Sequence, residues 1–166
     1  MEDQREPDRL DRDTNPSRGS VSQPSGGDCP VDSSAELSAG DQPPTVIVED
    51  IAPQDFVRYA GTGGDFNPIH YDDRYATALG NPGVSGQGMF TAAHAGHLAA
   101  DWFGIGAIRR SSDRFTARVW PGDTLTVSGE VTDVDCGEVM ADITATRQTG
   151  ETVLVGEVTA VIPGES

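Results

Sequence analysis

From Leu125 to Ile162 the chain alternates apolar and polar residues almost without interruption, and a pattern of that length and period reads as an antiparallel meander. Leu125, Val127, Gly129 and Val131 alternate with Thr and Ser; Val139, Ala141, Ile143 and Ala145 repeat the pattern. Thr152 to Ile162 is apolar on both faces, which predicts a strand covered on both sides and hence central. An earlier half-buried strand is predicted over Arg114–Trp120, closed by the turn Pro121-Gly122-Asp123. Upstream, Met89, Ala93, Gly96, Ala100 and Phe103 form a stripe at helical spacing from Gly88 to Phe103, with Gly104 as the stop. Residues this small would let a helix lie close to a sheet. One such helix followed by a meander predicts an α+β fold in which a curled antiparallel sheet wraps a central helix.

The rest of the chain is read around this unit. Residues 1–44 are dominated by Asp, Glu, Ser, Pro and Gly without either periodicity, so they are predicted to form a disordered acidic tail, leaving one domain over 45–166. Thr45–Val48 is β-branched and suits a first strand; Phe56, Val57 and Ala60 then predict a short helix that Gly61-Thr62-Gly63-Gly64 breaks. Asn67-Pro68 is a helix start, with capping side chain and preset φ, for a helix running to about Leu79.

Composition removes whole classes of chemistry. The formal net charge of −16 repels phosphate backbones and anionic membrane surfaces, so nucleic acid and membrane are not expected partners. The chain has no lysine, which excludes phosphate loops built on lysine, Schiff bases and amine nucleophiles. Cys29 and Cys136 lie in a tail and a hairpin and predict no structural disulfide; with a charged start that lacks an apolar stretch, a cytoplasmic location is expected.

A carboxylate at Asp65 and an imidazole at His70 bracket a tight turn, and such a pair can share one water. With a helix beginning at Pro68, His70 would sit in its first turn, where the positive end of the dipole favours the neutral imidazole of a general base. The alternative is plain: Asp65 and Asn67 as capping and turn residues with His70 under a loop, the commoner state for an isolated Asp and His. His94 and His97 stand three apart on the long helix, yet no third ligand follows, so packing or surface histidines are expected and no metal. Gly83, Gly86 and Gly88 lack the strand–turn–helix setting of a dinucleotide loop. Arg109, Arg110 and Arg114 form a basic cluster in an acidic body and are read evenly as a solvated patch or as partners for substrate phosphate.

The segment Tyr59-Ala60-Gly61-Thr62-Gly63-Gly64-Asp65-Phe66-Asn67-Pro68-Ile69-His70 resembles the signature of MaoC-like hydratases, and the resemblance continues through Arg114-Phe115 and Trp120-Pro121-Gly122-Asp123-Thr124-Leu125, covering about Asp50 to Pro163. It implies a hot-dog fold, homodimeric or paired with another hot-dog subunit. The implied activity is reversible syn hydration of trans-2-enoyl thioesters of CoA or acyl carrier protein to (R)-3-hydroxyacyl thioesters, with neither cofactor nor metal. By position, Asp65 and His70 would be the catalytic pair, Asn67 would hold the turn, and the backbone amide of Gly88 would polarise the thioester carbonyl. The residue before that glycine is commonly histidine in the family, and here it is Gln87. Two other readings compete: a non-catalytic hot-dog subunit, against which retention of Asp65 and His70 argues, and a hot-dog thioesterase, against which the Asn67-Pro68-Ile69-His70 continuation argues.

Overall fold

The computed structural model describes residues 37–162 of the 166. In chain order its elements are β1 (Val46–Val48), α1 (Pro53–Gly63), a 3-10 turn (Pro68–His70), α2 (Asp73–Ala78), α3 (Gly88–Phe103), β2 (Ile108–Phe115), β3 (Leu125–Asp135), β4 (Glu138–Arg147) and β5 (Thr152–Val161). All strands pair antiparallel in one five-stranded sheet of order β1-β3-β4-β5-β2. Asp135 pairs with Glu138, so the β3–β4 turn has two residues, Cys136 and Gly137, at φ 49° and 80°. Two positive φ values are what a tight hairpin needs to match strand twist, and glycine takes its value without strain.

The inward rows of β3, β4 and β5 are those expected from the alternation. Leu125, Val127, Val131, Val139, Ala141, Ile143, Ala145, Leu154 and Val158 are buried in one core. Each large side chain fully buried there contributes roughly 1.5–3 kcal/mol. Helix α3 packs against β2, β3, β4 and β5, so the sheet wraps it as the hot-dog expectation requires. A Cβ at Gly129 would lie 2.9 Å from the Trp102 ring, and glycine there lets β3 come up to the helix. β5 is interior, between β4 and β2, although β4 occupies the middle of the sheet.

Several expectations need correction. The stripe at Met89, Ala93 and Gly96 faces outward; the packed face of α3 is Phe90, Thr91, Ala92, Ala95, Leu98, Ala99 and Phe103. Alanine lies on both sides of this helix, so the sequence offered little contrast between faces. In α1, Phe56 and Ala60 are buried four apart while Val57 is exposed. The helix predicted over 68–79 is two pieces, because the Asp72 carboxylate accepts the amides of Arg74 and Tyr75 and starts α2 afresh. The strand predicted over 114–120 lies earlier, at 108–115: β2 is an edge strand with exposed polar residues on both faces, and beyond Thr116, whose N–H still donates to the Val153 carbonyl, residues 117–120 leave the ladder.

The tail boundary at 44 also moves. Residues 1–36 lie outside the described residues, but Leu37 packs on the core, Gly40 N–H donates to the Val131 carbonyl (2.8 Å), and Val131 N–H donates to that of Asp41 (2.9 Å). This pairing uses backbone groups alone, which is why an Asp-, Gly- and Pro-rich stretch shows no alternation. Removing residues 1–41 is expected to lower the melting temperature by several degrees relative to removing residues 1–36, on the order of 2 kcal/mol for two hydrogen bonds and Leu37. Equal melting temperatures would show that the segment contributes nothing.

Candidate active site

α1 ends at Gly64, whose left-handed conformation (φ 73°) and N–H bond to the Ala60 carbonyl turn the chain out of the helix. The next residue is Asp65. Its Oδ1 accepts the Asn67 amide (3.2 Å), and Asn67 Oδ1 accepts the Ile69 amide (3.2 Å), so consecutive side-chain turns hold the loop and start the 3-10 turn. With Oδ1 engaged by backbone, Oδ2 faces the Nε2 of His70 at 3.5 Å. The sequence-predicted pair is therefore brought together, and Asn67 has the turn-holding geometry expected of it.

His70 closes a 3-10 turn of three residues, too short to carry a useful macrodipole, so the expected helix-end influence on the imidazole is absent. A hydrogen bond takes its place. Nδ1 lies 2.6 Å from the Ser85 carbonyl, and since a carbonyl only accepts, Nδ1 carries the proton, so that the neutral form of the ring has Nε2 bare. The imidazole is 13 % exposed and the carboxylate 47 %, so solvent screens their attraction and the contact adds little stability. What it provides is two acceptors side by side, within reach of one water.

His70 and Asn67 line a cavity of about 350 Å³ that is also bordered by the start of α3 and by Ser85, Thr91, Phe115 and Val119. Gly88, the first residue of α3, opens onto it; the helix's first amides have no partner within the helix, and the Gln87 side chain does not cap them. A Cβ at Gly88 would sit 3.3 Å from the Phe115 ring, so the missing side chain keeps that amide accessible beside the aromatic wall. This backbone donor borders the same cavity as His70.

The three arginines singled out by sequence do not line the cavity. Arg109, Arg110 and Arg114 are exposed on β2, with Arg114 directed to the outer face opposite Val155. The guanidinium that does line it is Arg118, whose Nη1 donates to Asn81 Oδ1 at 2.7 Å. Sequence reasoning missed it because Arg118 was placed in a strand rather than in the segment that leaves β2 for the cavity wall. His97 pairs with Asp101 (3.3 Å), while His94 lies edge-on to Phe90; burial, then His97, hold His94 below the ordinary histidine range. Among the described residues no three His, Cys, Asp or Glu side chains are grouped to hold a metal. A larger concavity, about 700 Å³, lies over β2, β4 and β5 beside Asp113, whose carboxyl is raised by burial, but His70 does not line it, and Asp65 lines neither concavity.

This geometry has relatives. The chain is 37% identical over 111 residues to the fatty acid synthase beta subunit TOXC of Cochliobolus carbonum, covering 64% of this chain and 5% of that protein. It is 49% identical over 51 residues to the 3-hydroxyacyl-thioester dehydratase X of Mycobacterium tuberculosis, covering 31% and 18% respectively. The chain thus spans a small part of the curated relatives it matches. Among solved structures, the unliganded R-hydratase PhaJ1 from Pseudomonas aeruginosa superposes with a TM-score of 0.71 at 30% identity, over 79% of this chain and 85% of that one. The sequence model of the MaoC like domain matches residues 35–153, well over half of the chain, and the match takes in the turn of Asp65 and His70, the start of α3 and most of the sheet. With its curled sheet, its central helix and this match, the chain belongs to the MaoC-like dehydratase family of hot-dog proteins.

Proposed function

We propose that the protein is a hydro-lyase that adds water to trans-2-enoyl thioesters, giving (R)-3-hydroxyacyl thioesters, and catalyses the reverse dehydration. The observation that carries this reading is the orientation of His70: Nδ1 on the Ser85 carbonyl and Nε2 facing Asp65 at 3.5 Å, with Gly88 bordering the same cavity of about 350 Å³ as His70. A water donating one hydrogen to Asp65 Oδ2 and the other to Nε2 keeps its oxygen lone pairs toward C3 of a bound enoyl group. As oxygen attacks, negative charge moves to the thioester oxygen and is met by the Gly88 N–H. The proton removed from the water returns to C2, so one water supplies hydroxyl and hydrogen to the same face and the atoms balance. No metal or redox cofactor enters these steps. The likeness to PhaJ1 supports the hydration chemistry.

The acyl carrier, on this reading, is CoA or an acyl carrier protein. Its phosphate lies a pantetheine arm away from the reacting carbons, outside the cavity, and Arg109, Arg110 and Arg114 on the exposed strand are its proposed partners. Arg118 serves the thioester end of the arm. The proposed assembly is a homodimer, or a heterodimer with another hot-dog subunit, formed through β2. That strand is a sheet edge, and an unpaired edge is relieved by strand addition. No helix among the described residues is long and apolar enough to cross a membrane, and the cytoplasm is the proposed site of action.

Purified protein with crotonyl-CoA is expected to bleach the enoyl absorbance and yield the (R)-3-hydroxy product. Asp65→Asn and His70→Ala should each lower turnover by about two orders of magnitude or more while remaining folded. Near-wild-type rates in either folded variant would remove the pair from the mechanism, and release of free thiol without enoyl loss would replace hydration by thioester cleavage. Treatment with a chelator is expected to leave the rate unchanged; inactivation reversed by zinc would reopen metal chemistry.

A further inference from the structure

The segment Ser85–Gly88 gathers several separate supports. Ser85 N–H donates to the Ile69 carbonyl (3.3 Å) and Ser85 C=O holds His70; Gly86 N–H donates to the Val119 carbonyl (2.8 Å); Gly88 begins α3. Gln87 stands in the middle of this strap and is 2 % exposed. Its Nε2 donates to the carbonyl of Phe56 in α1 at 3.0 Å, and its Oε1 is buried without a hydrogen-bond partner. The amide orientation follows from chemistry: turned over, Oε1 would face the Phe56 carbonyl, and two acceptors repel. A buried amide that uses its donor and leaves its acceptor unpaired is a costly choice where an apolar side chain of similar volume would satisfy the core.

The Phe56 carbonyl belongs to the helix whose exit, through Gly64, carries Asp65. The strap on the other side of the bond carries both the anchor of His70 and the amide of Gly88. We propose that Gln87 is a positioning residue: by tying α1 to the start of α3 it sets where the carboxylate of Asp65 stands relative to the imidazole of His70 and the oxyanion amide. The packing beside it points the same way. A Cβ at Gly86 would come within 2.8 Å of the Phe56 ring, so strap and helix are already pressed together at the residue that supplies the acceptor. The tie rests on the hydratase reading for its catalytic meaning, though not for its existence.

Gln87→Met keeps length and volume and removes the donor; Gln87→His restores a ring N–H that can reach the same carbonyl. If the tie is lost and the pair drifts by about an ångström, turnover with crotonyl-CoA should fall by roughly ten- to a hundredfold in Q87M, with KM changed little and the fold retained. Q87H should recover most of that loss. Wild-type turnover in folded Q87M, or a folded Q87H as slow as Q87M, would overturn the proposal. If Q87M does not fold, Q87H decides alone: folded and close to wild-type turnover supports the tie, folded and at least about tenfold slower overturns it. Absence of activity in the unaltered protein would count against the hydratase reading only. The Nε2 resonance of His70, which reports its carboxylate neighbour, then carries the test: displaced in Q87M and restored in Q87H supports the tie, and an unmoved resonance in Q87M overturns it.

Discussion

The hydrogen bond from His70 Nδ1 to the Ser85 carbonyl is the interaction on which the site depends. Without it the imidazole has no fixed tautomer, and the neighbouring Asp65 carboxylate would favour a proton on the nitrogen it faces. The carbonyl that accepts it is held in turn, because Ser85 N–H bonds back to Ile69 in the same turn that carries His70. The strap and the histidine turn therefore orient each other. Three residues on, the same strap becomes α3, so one stretch of backbone fixes both the His70 ring and the Gly88 amide that border the same cavity.

The sheet serves this arrangement indirectly. β3, β4 and β5 form a core that holds α3 from one side, while the segment leaving β2 returns as the cavity wall and receives the Gly86 amide at Val119. Its next turn, Pro121-Gly122-Asp123, is locked by a buried carboxylate: Asp123 accepts the Trp120 amide, Arg147 and Gln148. Arg147 also bonds Glu151 across the β4–β5 turn, so this end of the sheet is pinned by charge-assisted bonds as well as by packing. An acidic chain without lysine thus places a carboxylate where structure needs one, at Asp123, and leaves Asp65 exposed where the proposed chemistry needs one.

The turn that joins Asp65 to His70 was legible because its signals are local. Gly64, Asp65, Asn67 and His70 act within six residues of each other, through a left-handed cap, two side-chain turns and one ring. The limits of α3, between Gln87 and Gly104, were legible for the same reason. The facing of α3 was not, since alanines and glycines distributed around a helix give almost no hydrophobic contrast, and Met89 drew the stripe to the solvent side. β2 was misplaced because an edge strand of Arg, Ser and Asp carries no alternation, and the docking of residues 37–41 was invisible because it is made by backbone bonds at Gly40 and Asp41 and a single apolar side chain, Leu37. Gln87 was noticed as a departure from a pattern; its bond to Phe56, thirty-one residues away, required the fold.

In the proposed mechanism, one water held between Asp65 and His70 delivers its oxygen and its hydrogen to the same face of the double bond. Hydration of (E)-crotonyl-CoA in deuterium oxide, stopped early in the reaction, tests this directly when the relative configuration at C2 and C3 is read from proton couplings in the (R)-3-hydroxybutyryl product. The predicted result is a single diastereomer with deuterium and hydroxyl added syn. Anti addition, or deuterium divided between the two positions at C2 before any reverse reaction has occurred, would contradict it.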